Sequence, residues 1–136
     1  MDEKIASFIA SHHVMTLATC FDGQPWCANL FYTYLAKEGS LICTSNPSTR
    51  HIQQAIEQQG RVAVSIVLES KVVARLQGVQ IEGQMHRTDE AIHRNCFLGH
   101  FPYAAPFLEP LWRIDILSAK YTDNTLGIGT KLIYHK

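Results

Sequence analysis

The residues with the clearest chemical potential form one heptapeptide, Ser45-Asn46-Pro47-Ser48-Thr49-Arg50-His51. Asn, Ser and Thr side chains accept hydrogen bonds from the free amides that open a helix, and Pro already has the φ of a first helical turn. A helix start also carries roughly half a positive charge, so Ser48, Thr49 and Arg50 together make a candidate phosphate cradle. The same residues equally suit an ordinary capped helix with a solvated arginine. No glycine-rich loop ending in Lys-Ser or Lys-Thr occurs, which excludes a nucleotide-triphosphate P-loop.

A second group is His93, Cys96 and His100, at i, i+3 and i+7, with His86 seven residues before His93. On one continuous helix face, thiol and imidazole donors would suit zinc or haem iron. No carboxylate completes the set and Gly99 interrupts the face, so no metal is assigned. Gln77 and Gln80 can hydrogen-bond a heterocycle or simply water. Cys20 and Cys27 read as packed thiols rather than nucleophiles. No Gly-x-Ser-x-Gly, His-Glu-x-x-His or Gly-x-Gly-x-x-Gly word is present, and no catalytic residue is assigned.

These residues need elements to hold them. Leu41 to Thr44 is a short β-prone run, and Ile52, Ala55 and Ile56 recur at helical spacing behind the heptapeptide. Upstream, Ile5, Phe8 and Ile9 mark a short packing helix, and Val14 to Cys20 a strand that ends at an Asp22-Gly23 turn. The next strand, Pro25 to Leu35, is apolar on both faces, and such a strand is expected to be covered on one side by the core and on the other by a partner or ligand. Arg61 to Glu69 alternates as a half-buried strand, and Ser70-Lys71 reads as a turn. A long strand from Val73 to about Arg87 follows, with Gly78 and Gly83 at expected bulges. Asp89 opens a further helix, Pro102, Pro106 and Pro110 break an aromatic-rich connection, and strands are expected at Leu111 to Tyr121 and Ile128 to Tyr134. Hairpin-joined strands with few helices make a mainly β (α+β) fold, an antiparallel barrel of six or seven strands with short flanking helices.

A chain of 136 residues, 46% hydrophobic and 18% charged, is expected to form one globular domain spanning residues 1–136. Twelve basic and twelve acidic residues cancel, so no overall field draws nucleic acid or an anionic membrane. Cys20, Cys27, Cys43 and Cys96 lack paired spacing and read as reduced. MDEKIASFIASHH has no long apolar core and no stretch reaches the ~20 apolar residues of a membrane span, so a cytoplasmic protein is expected.

The words LATCFDGQPW, WCANLFYTY, SNPSTRH, LQGVQIEG and YTDNTLGIG, in that order, resemble the flavin-binding split barrels of the pyridoxamine 5'-phosphate oxidase-like superfamily, most closely its small YhbP-type bacterial members. The resemblance implies a six-stranded split-barrel homodimer with FMN in a groove between subunits. It puts Ser45 and Asn46 at the family's Thr-Asn pair and Thr49, Arg50 and His51 at its phosphate contacts. It runs Thr16, Leu17 and Ala18, with Asn29, Leu30, Phe31 and Tyr32, along the isoalloxazine, partly through backbone groups. Gln77 falls near the family's flavin-contacting glutamine and Trp112 at a far wall of the site.

Two departures bear on function. Trp26 to Leu35 holds no Lys or Arg, and the third phosphate position is a histidine, so Arg50 stands as the one permanent positive charge and weaker FMN retention than in the oxidases is expected. The C-terminal basic motif that holds pyridoxal phosphate is absent from YTDNTLGIGTKLIYHK, so vitamin B6 oxidation is not expected. The reading is a flavin-dependent oxidoreductase acting on a small molecule, with a non-catalytic flavin, haem or deazaflavin sensor in the same groove as its alternative.

Overall fold

A computed structural model describes all residues, 1–136. The chain runs α1 (Glu3–Ser11), β1 (Val14–Phe21), β2 (Gln24–Phe31), β3 (Thr33–Leu35), β4 (Ser40–Thr44), α2 (Arg50–Glu57), β5 (Arg61–Leu68), β6 (Gln77–Thr88), α3 (Ala91–His100), β7 (Leu111–Asp123) and β8 (Lys131–His135). Short 3-10 turns cover Val73–Arg75, Pro102–Phe107 and Asn124–Leu126. All eight strands join one antiparallel sheet, in the order β2-β1-β5-β6-β7-β4-β3 with β8 added beside β7.

The two ends of that order, β2 and β3, are separated in the chain by Tyr32 alone. A sheet whose opposite edges are one residue apart must curl until they meet, which makes a barrel split along a seam. Tyr32 holds the seam. Its N–H donates to the His13 carbonyl at 2.9 Å, its ring is fully buried, and its hydroxyl donates to the Ile9 carbonyl at 2.6 Å. Here the sequence reading needs correction: the single strand expected over Pro25 to Leu35 is two, because strict alternation continues through the corner residue. The expected strand start at Val73 also moves, to Gln77, after a 3-10 turn. The bulge falls between Glu82 and Gly83, where a Cβ on Gly83 would stand 2.5 Å from Ile114 Cγ2; Gly78 sits in regular pairing.

Inside the curl lies one core. Met15 and Leu17 of β1, Val64 and Ile66 of β5, Val79 and Ile81 of β6, and Ile114 and Ile116 of β7 meet Ile5, Phe8 and Ile9 of α1 and Ile52 and Ala55 of α2. Period-2 alternation in each strand turns these inward, and by the same geometry turns Thr16, Ala18, Cys27, Asn29, Ala63 and Ser65 outward. This outer face stays uncovered within the chain, and β2 is exposed along most of its length. Cys20 and Cys27 are therefore exposed thiols rather than packed ones, and Cys43 is the fully buried cysteine. No helix is long and apolar enough to cross a membrane.

Candidate functional site

The corner between β4 and α2 is built by its own side chains. Asn46 Oδ1 accepts from the Ser48 amide at 2.8 Å and from its hydroxyl at 2.7 Å, closing a turn. Thr49 is the N-cap of α2, accepting from the Ile52 amide at 3.4 Å while its hydroxyl donates to the Asn46 carbonyl at 2.9 Å. The amides of Arg50 and His51 have no backbone acceptor and point out of the helix start. Below them Ser45 Oγ lies 2.8 Å from His51 Nε2, and the Trp112 indole donates to the Ser45 carbonyl at 3.0 Å.

Charge at this corner comes from arginine. Arg50 is exposed, forms no ion pair, and lays its guanidinium over the Trp26 ring, 4.2 Å from the centroid. Burial lowers the His51 pKa below its ordinary 6.5, so His51 is neutral at pH 7 and acts as a hydrogen-bonding brace. Arg87 of β6 lines a pocket of about 320 Å³ with Pro47 and Trp112, placing a second permanent cation beside the corner. Its strand position carries no local sequence signal.

A groove of about 430 Å³ opens where the barrel is split. Asn29, Leu30 and Phe31 of β2 form one wall, Thr44 of β4 leads straight into Ser45, and Phe97, Phe101 and Tyr103 close the far side. The Phe31 and Phe101 centroids are 5.4 Å apart and those of Phe97 and Phe101 5.0 Å, all tilted. No charged side chain lines the groove. It can therefore receive a flat, weakly polar ring system, with Asn29 and Thr44 as its side-chain hydrogen-bonders.

Thr16 donates to Asn29 Oδ1 at 2.8 Å on the outer face, and Ala18 lies beside it. Leu17 and Tyr32 turn into the core, which leaves only their backbone for any ligand. Trp112 is a buried support beneath the corner rather than a far wall. Gln77 is not brought to the corner; its Oε1 accepts from the Tyr121 hydroxyl at 2.9 Å, in a separate cavity beside α1.

His93, Cys96 and His100 share α3 but do not converge. His93 is fully buried, with Nδ1 2.6 Å from Thr88 Oγ1 and Nε2 3.0 Å from a Glu38 carboxylate oxygen. Cys96 faces Thr33, His100 faces His13, and His86 pairs with Asp115.

The family model described as Pyridoxamine 5'-phosphate oxidase matches residues 1–101, which include the corner and most of the groove. The chain belongs to the pyridoxamine 5'-phosphate oxidase family. Within it, the chain is 35% identical over 131 residues to the UPF0306 protein YhbP of Salmonella arizonae, covering 94% of this chain and 88% of that one. The fold is also similar to a solved structure described as a FAD-binding protein from Mesorhizobium loti, with TM-score 0.68 and 20% identity over 88% of this chain and 90% of that one. A structure described as a heme binding protein from Mycobacterium smegmatis gives TM-score 0.75 and 19% identity over 93% of this chain and 54% of that one. At such identities these two establish the split-barrel fold of this family member.

Proposed function

We propose that this chain is a homodimeric flavin-dependent oxidoreductase that binds FMN, the phosphate on the Ser45–His51 corner and the ring system in the seam groove. The observation that carries the reading is an unpaired cation and two free helix amides, at Arg50 and His51, beside an aromatic groove free of charge. The description of the Mesorhizobium loti protein as FAD-binding supports a flavin on this fold. The uncovered outer face around Ala18, Cys27 and Ala63 supports a second subunit, and the four free thiols support a cytoplasmic setting.

Bound flavin would supply hydride or electron transfer. The chain's own part is to hold a dianion with Arg50, Arg87 and the amides, orient the ring against Phe31 and Phe101, and exclude water with the aromatic wall. The test is to titrate the purified protein with FMN, following flavin fluorescence and the visible spectrum, and then add a reduced nicotinamide. Binding with nicotinamide-dependent bleaching supports a reductase; binding alone supports a sensing module of the same groove, for FMN or a deazaflavin. A haem module is the second reading, motivated by the Mycobacterium smegmatis protein and by the exposed His100 next to groove residue Phe101. It predicts a Soret band lost in His100→Ala.

A further inference from the structure

We propose that His93 is the positioning residue of the seam groove's aromatic wall and thereby sets how tightly the groove holds a flat ring system. Its effect on ring binding rests on the flavin reading above; the positioning of the wall does not. Of the ten residues of α3, His93 and Phe97 are the buried ones. The N-cap residue, Glu90, makes no side-chain hydrogen bond to the helix, so local capping does not fix how α3 lies. Its place on the barrel is decided by those two side chains.

His93, Phe97 and Phe101 follow at i, i+4 and i+8, one stripe that runs down α3 to the residue just past its end. The first is bonded, the second packed, and the third lines the groove. His93 Nδ1 stands 2.6 Å from Thr88 Oγ1 at the end of β6, and Nε2 stands 3.0 Å from the Glu38 carboxylate in the turn between β3 and β4. One buried imidazole thus ties the helix to two separate parts of the sheet. Both partners are held in turn, since Thr88 Oγ1 accepts from the Glu90 amide at 3.2 Å and Glu38 lies 3.6 Å from the Arg113 guanidinium. Phe97 packs with Ile42 and Leu111, and its ring lies 5.0 Å from that of Phe101, which stands 5.4 Å from Phe31 of β2.

The other polar contacts of α3 hold it less firmly. Cys96 Sγ is 3.9 Å from Thr33 Oγ1, and His100 meets His13 in an exposed pair for which water competes. Breaking a bond to a buried group instead leaves that group unpaired inside the protein, which costs far more. Apolar packing at Phe97 has no direction of its own. Without the bonds of His93, α3 is free to turn about Phe97, and Phe101 leaves Phe31. The Ser45–His51 corner is braced by its own side chains, so the loss falls on the ring and not on the phosphate.

The experiment records ring-to-ring NMR cross-peaks of the full chain with no ligand added. Phe31–Phe101 cross-peaks report the wall, and Phe8–Tyr121 cross-peaks, from rings 5.2 Å apart beneath α1, report that the core persists. His93→Ala should lose the first and keep the second. Should that variant fail to fold, Glu38→Ala removes one of the two bonds from a part-exposed side chain and should weaken the Phe31–Phe101 cross-peaks, which Glu38→Gln, keeping an oxygen there, should restore. Glu90→Ala, at an exposed side chain 3.6 Å from His93, should leave them unchanged. Riboflavin, which has no phosphate, is then titrated by fluorescence, and Glu38→Ala should weaken it by about fivefold or more. The positioning is overturned if the Phe31–Phe101 cross-peaks persist in folded His93→Ala or in Glu38→Ala, or if Glu38→Gln fails to restore them. Unchanged riboflavin affinity in Glu38→Ala overturns the effect on the ring, whereas a parent that takes no riboflavin overturns the flavin reading and leaves the cross-peaks to decide the positioning.

Discussion

Arg50 and Trp26 are stacked, guanidinium over indole at 4.2 Å, and this contact joins the first turn of α2 to edge strand β2. A carboxylate partner would have held Arg50 equally well but neutralised it. The indole positions the charge and leaves its hydrogen-bonding edge free for a phosphate. Trp26→Ala should therefore loosen the arginine without removing it. An exposed stack worth about 0.5–1 kcal/mol corresponds to about a two- to fivefold loss of FMN affinity, read by fluorescence titration. Unchanged affinity would show that the stack does not serve the site.

The Tyr32 hydroxyl satisfies the carbonyl of Ile9, which lies in the last turn of α1 and has no helical partner. Tyr32→Phe keeps the ring in the core and leaves that carbonyl unpaired. Stability should fall by about 1–3 kcal/mol, measured by urea unfolding with an unchanged slope. A loss near zero would mean that water takes the place of the hydroxyl.

Seam and corner differ in how far local sequence reveals them. The run from Leu41 to Glu57 is legible because apolar spacing switches from period 2 to helical period, with capping residues between. The break at Tyr32 is not, since both sides continue one alternation and only long-range pairing assigns β2 to β1 and β3 to β4. The aromatic wall was visible only as composition in Phe97 to Trp112; which rings reach the groove depends on how α3 packs over the seam. His93, Cys96 and His100 illustrate the opposite error, in which regular spacing suggests a cluster that tertiary partners disperse.

Burial lowers the pKa of His51, and burial followed by the neighbouring His13 lowers that of His12, both below 6.5. The unfolded chain then takes up protons more readily than the folded one, so these groups cost nothing above 6.5 and destabilise the fold as pH falls below it. Thermal unfolding should show a midpoint that declines from pH 7 to pH 5. His51→Asn should flatten part of that decline, whereas an identical slope would remove His51 as a cause.

The outer face of β1, β2 and β5 carries Ala18, Cys27 and Ala63, small and uncovered. If a second copy covers it, the protein sediments at twice 15.3 kDa, about 31 kDa. Ala63→Arg, exposed in the single chain, should then give a folded monomer with weakened FMN binding. A parent protein that sediments as a monomer at all concentrations contradicts the homodimer.

The central claim is that the Ser45–His51 corner holds the phosphate of FMN. The most direct measurement compares FMN with riboflavin, which lacks that phosphate, on the parent protein and on Arg50→Ala. The parent should bind FMN more tightly than ~100 μM, about −5.5 kcal/mol. Arg50→Ala should weaken FMN by about tenfold or more, as for loss of a charge-assisted contact of about 1.5–3 kcal/mol, and leave riboflavin nearly unchanged. No FMN binding at ~100 μM, or equal losses for both ligands, would contradict the account.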